Sequence, residues 1–131
     1  MEIGRREFLA GMAAFALAGP SAPSAERRTP GMYGLIGKMR TVAGKRDELV
    51  AILLEGTGSM PGCLSYVVAT DPADPDAIWI TEVWESEASH RASLQLPAVR
   101  DAIGRGRPLI AGFDSQTVTT PVGGVGLPAR G

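Results

Sequence analysis

Apolar residues recur along this chain with two alternating periods, one suited to strands and one to helices. From Met32 to Arg40, "MYGLIGKMR" is apolar and glycine-interrupted, the pattern of a strand with close neighbours on one face. In "GKRDELVAILLEG" the period becomes helical: Leu49, Ile52 and Leu53 share a face, Val50 and Leu54 widen the stripe, and Gly56 and Gly58 are stops. After the turn signal "MPG", Cys63 to Thr70 ("CLSYVVAT") is rich in strand formers. "DPADPDA" then reads as a hairpin loop, because proline cannot continue a ladder. Ile78 to Trp84 ("IWITEVW") is the best strand in the chain. Ser86, with Ala88 to Leu94, begins a helix that Pro97 interrupts and restarts, and "FDSQTVTT", Phe113 to Thr120, supplies a last strand.

The order strand, helix, strand, strand, helix, strand predicts an α+β fold of the ferredoxin-like split βαββαβ type over residues 32–120. Both helices fall on one face of a four-stranded sheet, which leaves the other face bare. That bare face carries Leu64, Tyr66 and Val68 on one parity, or Cys63, Val67 and Ala69 on the other, and needs a cover. A homodimer with its two sheets packed face to face is the expected solution.

Length and composition narrow this further. The 131 residues, with a formal net charge of -1, suffice for one modest domain and not for two good cores. Hydrophobic residues make up 44% and charged residues 21%, with the two signs interspersed, so no nucleic-acid partner is expected. A single cysteine, Cys63, excludes an internal disulfide and any multi-cysteine metal site. It is either a small buried apolar residue or a reactive or intermolecular thiol. The acids of "DPADPD" fit no calcium loop, and no metal is expected. The glycines and prolines of residues 121–131, "PVGGVGLPARG", favour a flexible tail.

Residues 1–25 have a different character. "GRREFLAGMAAFALAG" pairs Arg5 and Arg6 with Phe8 and Leu9 ahead of a mild apolar run, and it resembles a twin-arginine export signal, with residues 26–31 as a linker. The run from Phe8 to Gly19 is too short for a stable membrane span, which needs about 20 apolar residues. Cleavage after Ala18 or Ala25 fits the small residues there. The expected location is periplasmic or otherwise extracytoplasmic, or cytoplasmic if the signal is not used.

Candidate chemistry concentrates in "ITEVWESEASHRASL", Ile80 to Leu94. Glu82 lies two residues before Trp84 and shares its face with Ile78 and Ile80. An inward carboxylate among apolar neighbours is costly unless paired or used, which makes Glu82 a base, a hydrogen-bond acceptor, an arginine partner, or else a solvated rim residue. Trp84 is either a flat surface for an aromatic substrate or a core tryptophan. His90, the chain's only histidine, is the natural proton shuttle near neutral pH, or a solvated residue of the first helical turn. Tyr66 can hydrogen-bond a phenolic oxygen or pack in a dimer core. Arg91, Arg100, Arg105 and Arg107 either gather an anion or form a solvated face.

Taken in order, "MPGCLSY", "ITEVWESEASH" and "PLIAGFDS" resemble the antibiotic biosynthesis monooxygenase family of small dimeric α+β barrels, which includes quinol monooxygenases; the resemblance spans Met32 to about Thr120. It implies oxygenation of an electron-rich aromatic, such as a quinol or anthrone-like phenol, by molecular oxygen without flavin, haem or metal. The candidate residues for this chemistry are Glu82 and His90 for catalysis and Trp84 and Tyr66 for substrate binding, although many family members carry their helix histidine nearer the position of Ser93. Haem-degrading relatives carry an asparagine on the first strand where Gly34 and Gly37 stand here, so haem degradation is disfavoured. The competing expectation is a non-catalytic dimeric module that binds a small hydrophobic ligand, since one fold of this kind hosts many functions.

Overall fold

The computed structural model describes residues 31–128. The export-signal expectation and most of the linker lie outside them, as do the last three residues of the tail. Strand β1 (Tyr33–Thr41) leads to helix α1 (Arg46–Gly56), strands β2 (Cys63–Thr70) and β3 (Ala77–Trp84), helices α2 (Glu87–Ser93) and α3 (Pro97–Gly106), a single 3-10 turn (Arg107–Leu109) and strand β4 (Ile110–Thr119). The four strands form one sheet in the order β2-β3-β1-β4, and every pair is antiparallel. This is the ferredoxin-like α+β fold that the periodicity predicts.

The element ends have local causes. In α1 the buried residues are Leu49, Ile52, Leu53 and Gly56, the spacing of one helical face. Gly56 lets α1 cross α3 closely, since a Cβ there would come within 2.5 Å of the Ala102 Cβ. The Ser86 side chain accepts a hydrogen bond from the Ser89 backbone N–H at 3.1 Å and caps α2. Pro97 at the start of α3 separates it from α2. The last strand begins three residues earlier than the pattern predicts, at Ile110 rather than Phe113. Its bulge between the partners of Lys38 and Met39 breaks the alternation by which the start would be read.

The main core lies between sheet and helices, where Met39, Leu49, Leu53, Ile78, Ile80 and Ile110 are buried together and Tyr66 and Val68 pack against them. That contact decides the parity of β2: Tyr66 and Val68 face the helices and Val67 and Ala69 the bare side. The dimer-core position weighed for Tyr66 is therefore corrected. Cys63 leaves the parity of Val67, because the β2 register slips between Cys63 and Ser65, and it packs with Tyr33, Leu35 and Trp84. On the bare side, Val67, Thr81, Ile36 and Thr117 form one row across all four strands, with Val67 at 51% and Ile36 at 37% exposure.

The proline-acid loop is built from its own carboxylates. Asp71 accepts from the Trp79 indole N–H at 2.9 Å, Asp74 from Arg40 at 2.9 Å, and Asp76 from the Gly44 backbone N–H at 3.2 Å. The Arg46 guanidinium reaches over from α1 to the carbonyls of Asp71 and Asp74. Among the described residues no helix is long and apolar enough to cross a membrane. No group of three or more His, Cys, Asp or Glu among them is gathered for a metal ion.

Candidate functional site

One cavity opens between the helices and the inner face of the sheet. Its strand-borne lining includes Leu35, Gly37, Tyr66, Ile80, Glu82 and Phe113, its helix-borne lining His90, Val99 and Ile103, and the atom-free space it borders amounts to about 710 Å³ with open solvent counted. The sheet register explains why its polar groups converge. Glu82 of β3 lies opposite Tyr66 of β2 and Leu35 of β1, so a phenol, a carboxylate and an aliphatic side chain share one row and one face. Trp84 occupies the next inward row, opposite Tyr33 and Cys63.

Burial sets the protonation of these groups. Desolvation pushes the Glu82 carboxyl up to about 7, opposed by the hydrogen bond that its carboxylate accepts from the Trp84 indole N–H at 2.8 Å. Desolvation, with the neighbouring Glu82 charge second, holds the Tyr66 phenol well above its ordinary range, so it stays a donor. Both side chains keep partial exposure, in line with a cavity that is open on one side.

His90 faces inward, not toward solvent. It is 2% exposed, and desolvation, helped by the Arg91 charge, lowers it to about 4, which leaves a neutral imidazole at neutral pH. The exposed position weighed for it is corrected: α2 turns its His90 and Ser93 face onto the sheet. The imidazole sits 5.5 Å from the Tyr33 ring and 5.5 Å from the Trp84 ring, the latter at 71° between planes. Its Nδ1 is buried and has no hydrogen-bond partner among the described residues.

Three of the four residues singled out in the sequence, Glu82, His90 and Tyr66, line this cavity together; Trp84 is not among the lining residues. It is 1% exposed, behind Glu82, and its polar atom is committed to that carboxylate. Arg91, Arg100, Arg105 and Arg107 do not line the cavity, and Arg105 is held at the surface by Asp101 and Glu55. Among the described residues the lining therefore carries no cationic side chain.

Pattern alone misses Phe113 and Gly37 as lining residues. Phe113 is set by the β4 bulge, which no period reports. Gly37 follows from the β1 parity, being two residues from buried Leu35 and Met39, and a Cβ there would meet only the Ser115 carbonyl oxygen, at 3.6 Å. Tyr33, two residues before Leu35, is a further missed neighbour of His90; desolvation, with Glu87 and Glu82 next, pushes its phenol up to about 12.

Comparison with known proteins places this geometry among relatives. Residues 32–105 match the model of the antibiotic biosynthesis monooxygenase family. A crystal structure of a Chloroflexus aurantiacus protein, described as a candidate antibiotic biosynthesis monooxygenase, is 68% identical with a TM-score of 0.73, and covers 75% of this chain and 100% of its own. A Caulobacter crescentus structure described in the same terms is 18% identical with a TM-score of 0.61, covers 74% of this chain and 94% of its own, and shares the fold. An uncharacterized Synechocystis protein is 24% identical over 107 residues, 79% of this chain and 73% of its own length.

Proposed function

The chain belongs to the antibiotic biosynthesis monooxygenase family, and we propose that it oxidises an electron-rich aromatic, a quinol or related phenol, with molecular oxygen and without a resident cofactor. The observation that carries this proposal is a largely desolvated carboxylate, Glu82, raised to about 7 in a cavity whose walls are mainly apolar and whose other polar groups include Tyr66 and His90. Such a group is poised to take a phenolic proton near neutral pH.

The chemistry follows from the substrate's own electrons. Glu82 accepts a phenolic proton, and the resulting phenolate is rich enough in electrons to reduce dioxygen in a water-poor slot. For a hydroquinone, one oxygen atom enters a ring C–H bond as a hydroxyl. The two original phenolic hydroxyls become carbonyls, and the second oxygen atom leaves as water. Hydroquinone and one dioxygen thus yield a hydroxyquinone and one water, a four-electron balance closed by substrate alone.

The surrounding residues suit those steps. Tyr66, kept protonated, can donate a hydrogen bond to the substrate oxygen across the row from Glu82. Neutral His90 offers its Nδ1, which has no partner among the described residues, as a proton relay. Leu35, Ile80, Val99, Ile103 and Phe113 supply apolar walls for a ring.

The test is product analysis after incubation of purified, metal-stripped protein with a panel of hydroquinones under isotope-labelled dioxygen. One labelled oxygen atom in the product and one in water are expected. Saturable ligand binding with no product above the autoxidation blank would replace this proposal with a non-catalytic binding module.

A further inference from the structure

Trp84 touches both polar groups at one end of the cavity while lining none of it. Resting on the function proposed above, we infer that Trp84 is a positioning residue: its indole N–H fixes the Glu82 carboxylate and its ring braces the His90 imidazole, so that both face a bound phenol. Trp84 touches no substrate in this assignment.

Geometry carries the inference. Glu82 and Trp84 point to the same face of β3, and the indole Nε1 donates to Oε1 at 2.8 Å. A carboxylate in an apolar slot has several rotamers of similar energy. One charge-assisted hydrogen bond from a fixed donor selects among them. The donor is fixed because Trp84 is enclosed at 1% exposure by Tyr33, Leu35, Met60 and Cys63. His90, in turn, packs near two aromatic rings, Tyr33 and Trp84, each 5.5 Å away and at different tilts. A substrate-stacking tryptophan would show a ring face to the cavity; this one shows its ring to core residues and its N–H to the base.

The titratable groups around Glu82 are Tyr66 and Cys63 from β2, Tyr33 from β1 and His90 from α2, with Glu87 and Arg91 acting on Tyr33 from farther out. Burial raises both phenols and the thiol and lowers the imidazole. Glu82 is therefore the group of this cluster that changes charge near pH 7.

The test reads Glu82 directly and needs no substrate. In protein labelled with carbon-13 at the glutamate carboxyls, the signal absent from Glu82→Gln is followed against pH. In Trp84→Phe, which keeps an aromatic core side chain and loses the donor, the midpoint should rise by roughly one pH unit, the size of a lost hydrogen bond to a charged group. An unchanged midpoint in folded Trp84→Phe overturns the inference.

Wild-type protein supplies a second readout should that variant not fold. The Trp84 indole N–H resonance, assigned with Trp79→Phe, should shift with the Glu82 midpoint and lose that shift in Glu82→Gln. A resonance indifferent to pH between 5 and 9 overturns the inference equally. Because both readouts are made without substrate, absence of oxygenase activity would remove the proposed reaction and leave this contact standing.

Discussion

Tyr66 and Glu82 are cross-strand partners, one on β2 and one on β3, and both project into the cavity between sheet and helices. The pairing sets a donor that stays protonated beside an acid that ionises near neutral pH. The proposed base and oxygen-orienting donor would thereby be held by sheet register, which is more rigid than a loop would be.

A pH-dependent rate follows. In the proposed role Glu82 would act as a base only when ionised, and burial has moved that ionisation up to about 7. Oxygen uptake measured as kcat/KM should therefore rise through an apparent pKa of about 7 and level off above it. Glu82→Gln should lose ~100-fold to ~10,000-fold in kcat and with it this limb of the profile. A wild-type profile flat from pH 5 to 9 would remove Glu82 from the role.

Stability should carry the same signature with the opposite benefit. Folded Glu82 holds its proton up to about 7 while the unfolded side chain releases it near 4.5, so rising pH favours unfolding across that window. Glu82→Gln escapes this loss and should be more stable than wild type above pH 7 by on the order of 2 kcal/mol, after a discount for partial exposure. The gap should close below about pH 4.5. His90 works the other way: lowered from 6.5 to about 4, its neutral burial contributes stability above 6.5 that is lost as pH falls toward 4. Between 4.5 and 6.5 the two offset in wild type. Urea titrations should thus show a flatter stability profile for wild type than for Glu82→Gln; parallel profiles would contradict the Glu82 assignment, and a Glu82→Gln profile that does not fall between pH 6.5 and 4 would contradict the His90 assignment.

Gly37 leaves space in the cavity floor. A Cβ there makes only an ordinary contact, with the Ser115 carbonyl oxygen at 3.6 Å, so Gly37→Val fills cavity space, where the substrate is proposed to bind, more than it strains the core. KM for a quinol should rise at least ~10-fold while the unfolding midpoint moves little. Unchanged KM in the valine variant would place the substrate elsewhere.

The bare sheet face bears on assembly. Ile36 and Val67 are exposed in a row with Thr81 and Thr117, apolar surface that a second copy of the chain would cover. Sedimentation should give a dimer for wild type and a monomer for Val67→Glu at micromolar concentration. A wild-type monomer would contradict the proposed face-to-face pairing.

The fold was legible because its signals are local: the Leu49, Ile52 and Leu53 stripe, the strand formers of "IWITEVW", and the Pro97 restart all act within one element. The inward carboxylate at Glu82 was legible too, since strand parity ties it to Ile78, Ile80 and Trp84. Other features depend on partners distant in sequence. The face of His90 is set by where α2 lands on Tyr33 and Trp84, and the inward turn of Cys63 by a register slip opposite β3. Trp84 illustrates the limit most directly: its residue type fits a substrate platform, and only packing reveals it enclosed behind the carboxylate it holds.

Oxygen consumption by metal-stripped wild-type protein and Glu82→Gln, run side by side on hydroquinones at pH 8, tests the central claim most directly. Uptake above the autoxidation blank by wild type, falling at least ~100-fold in the glutamine variant of unchanged fold, is the expected result. Equal uptake by the two proteins, or none above the blank by either, would contradict a base-driven oxygenase.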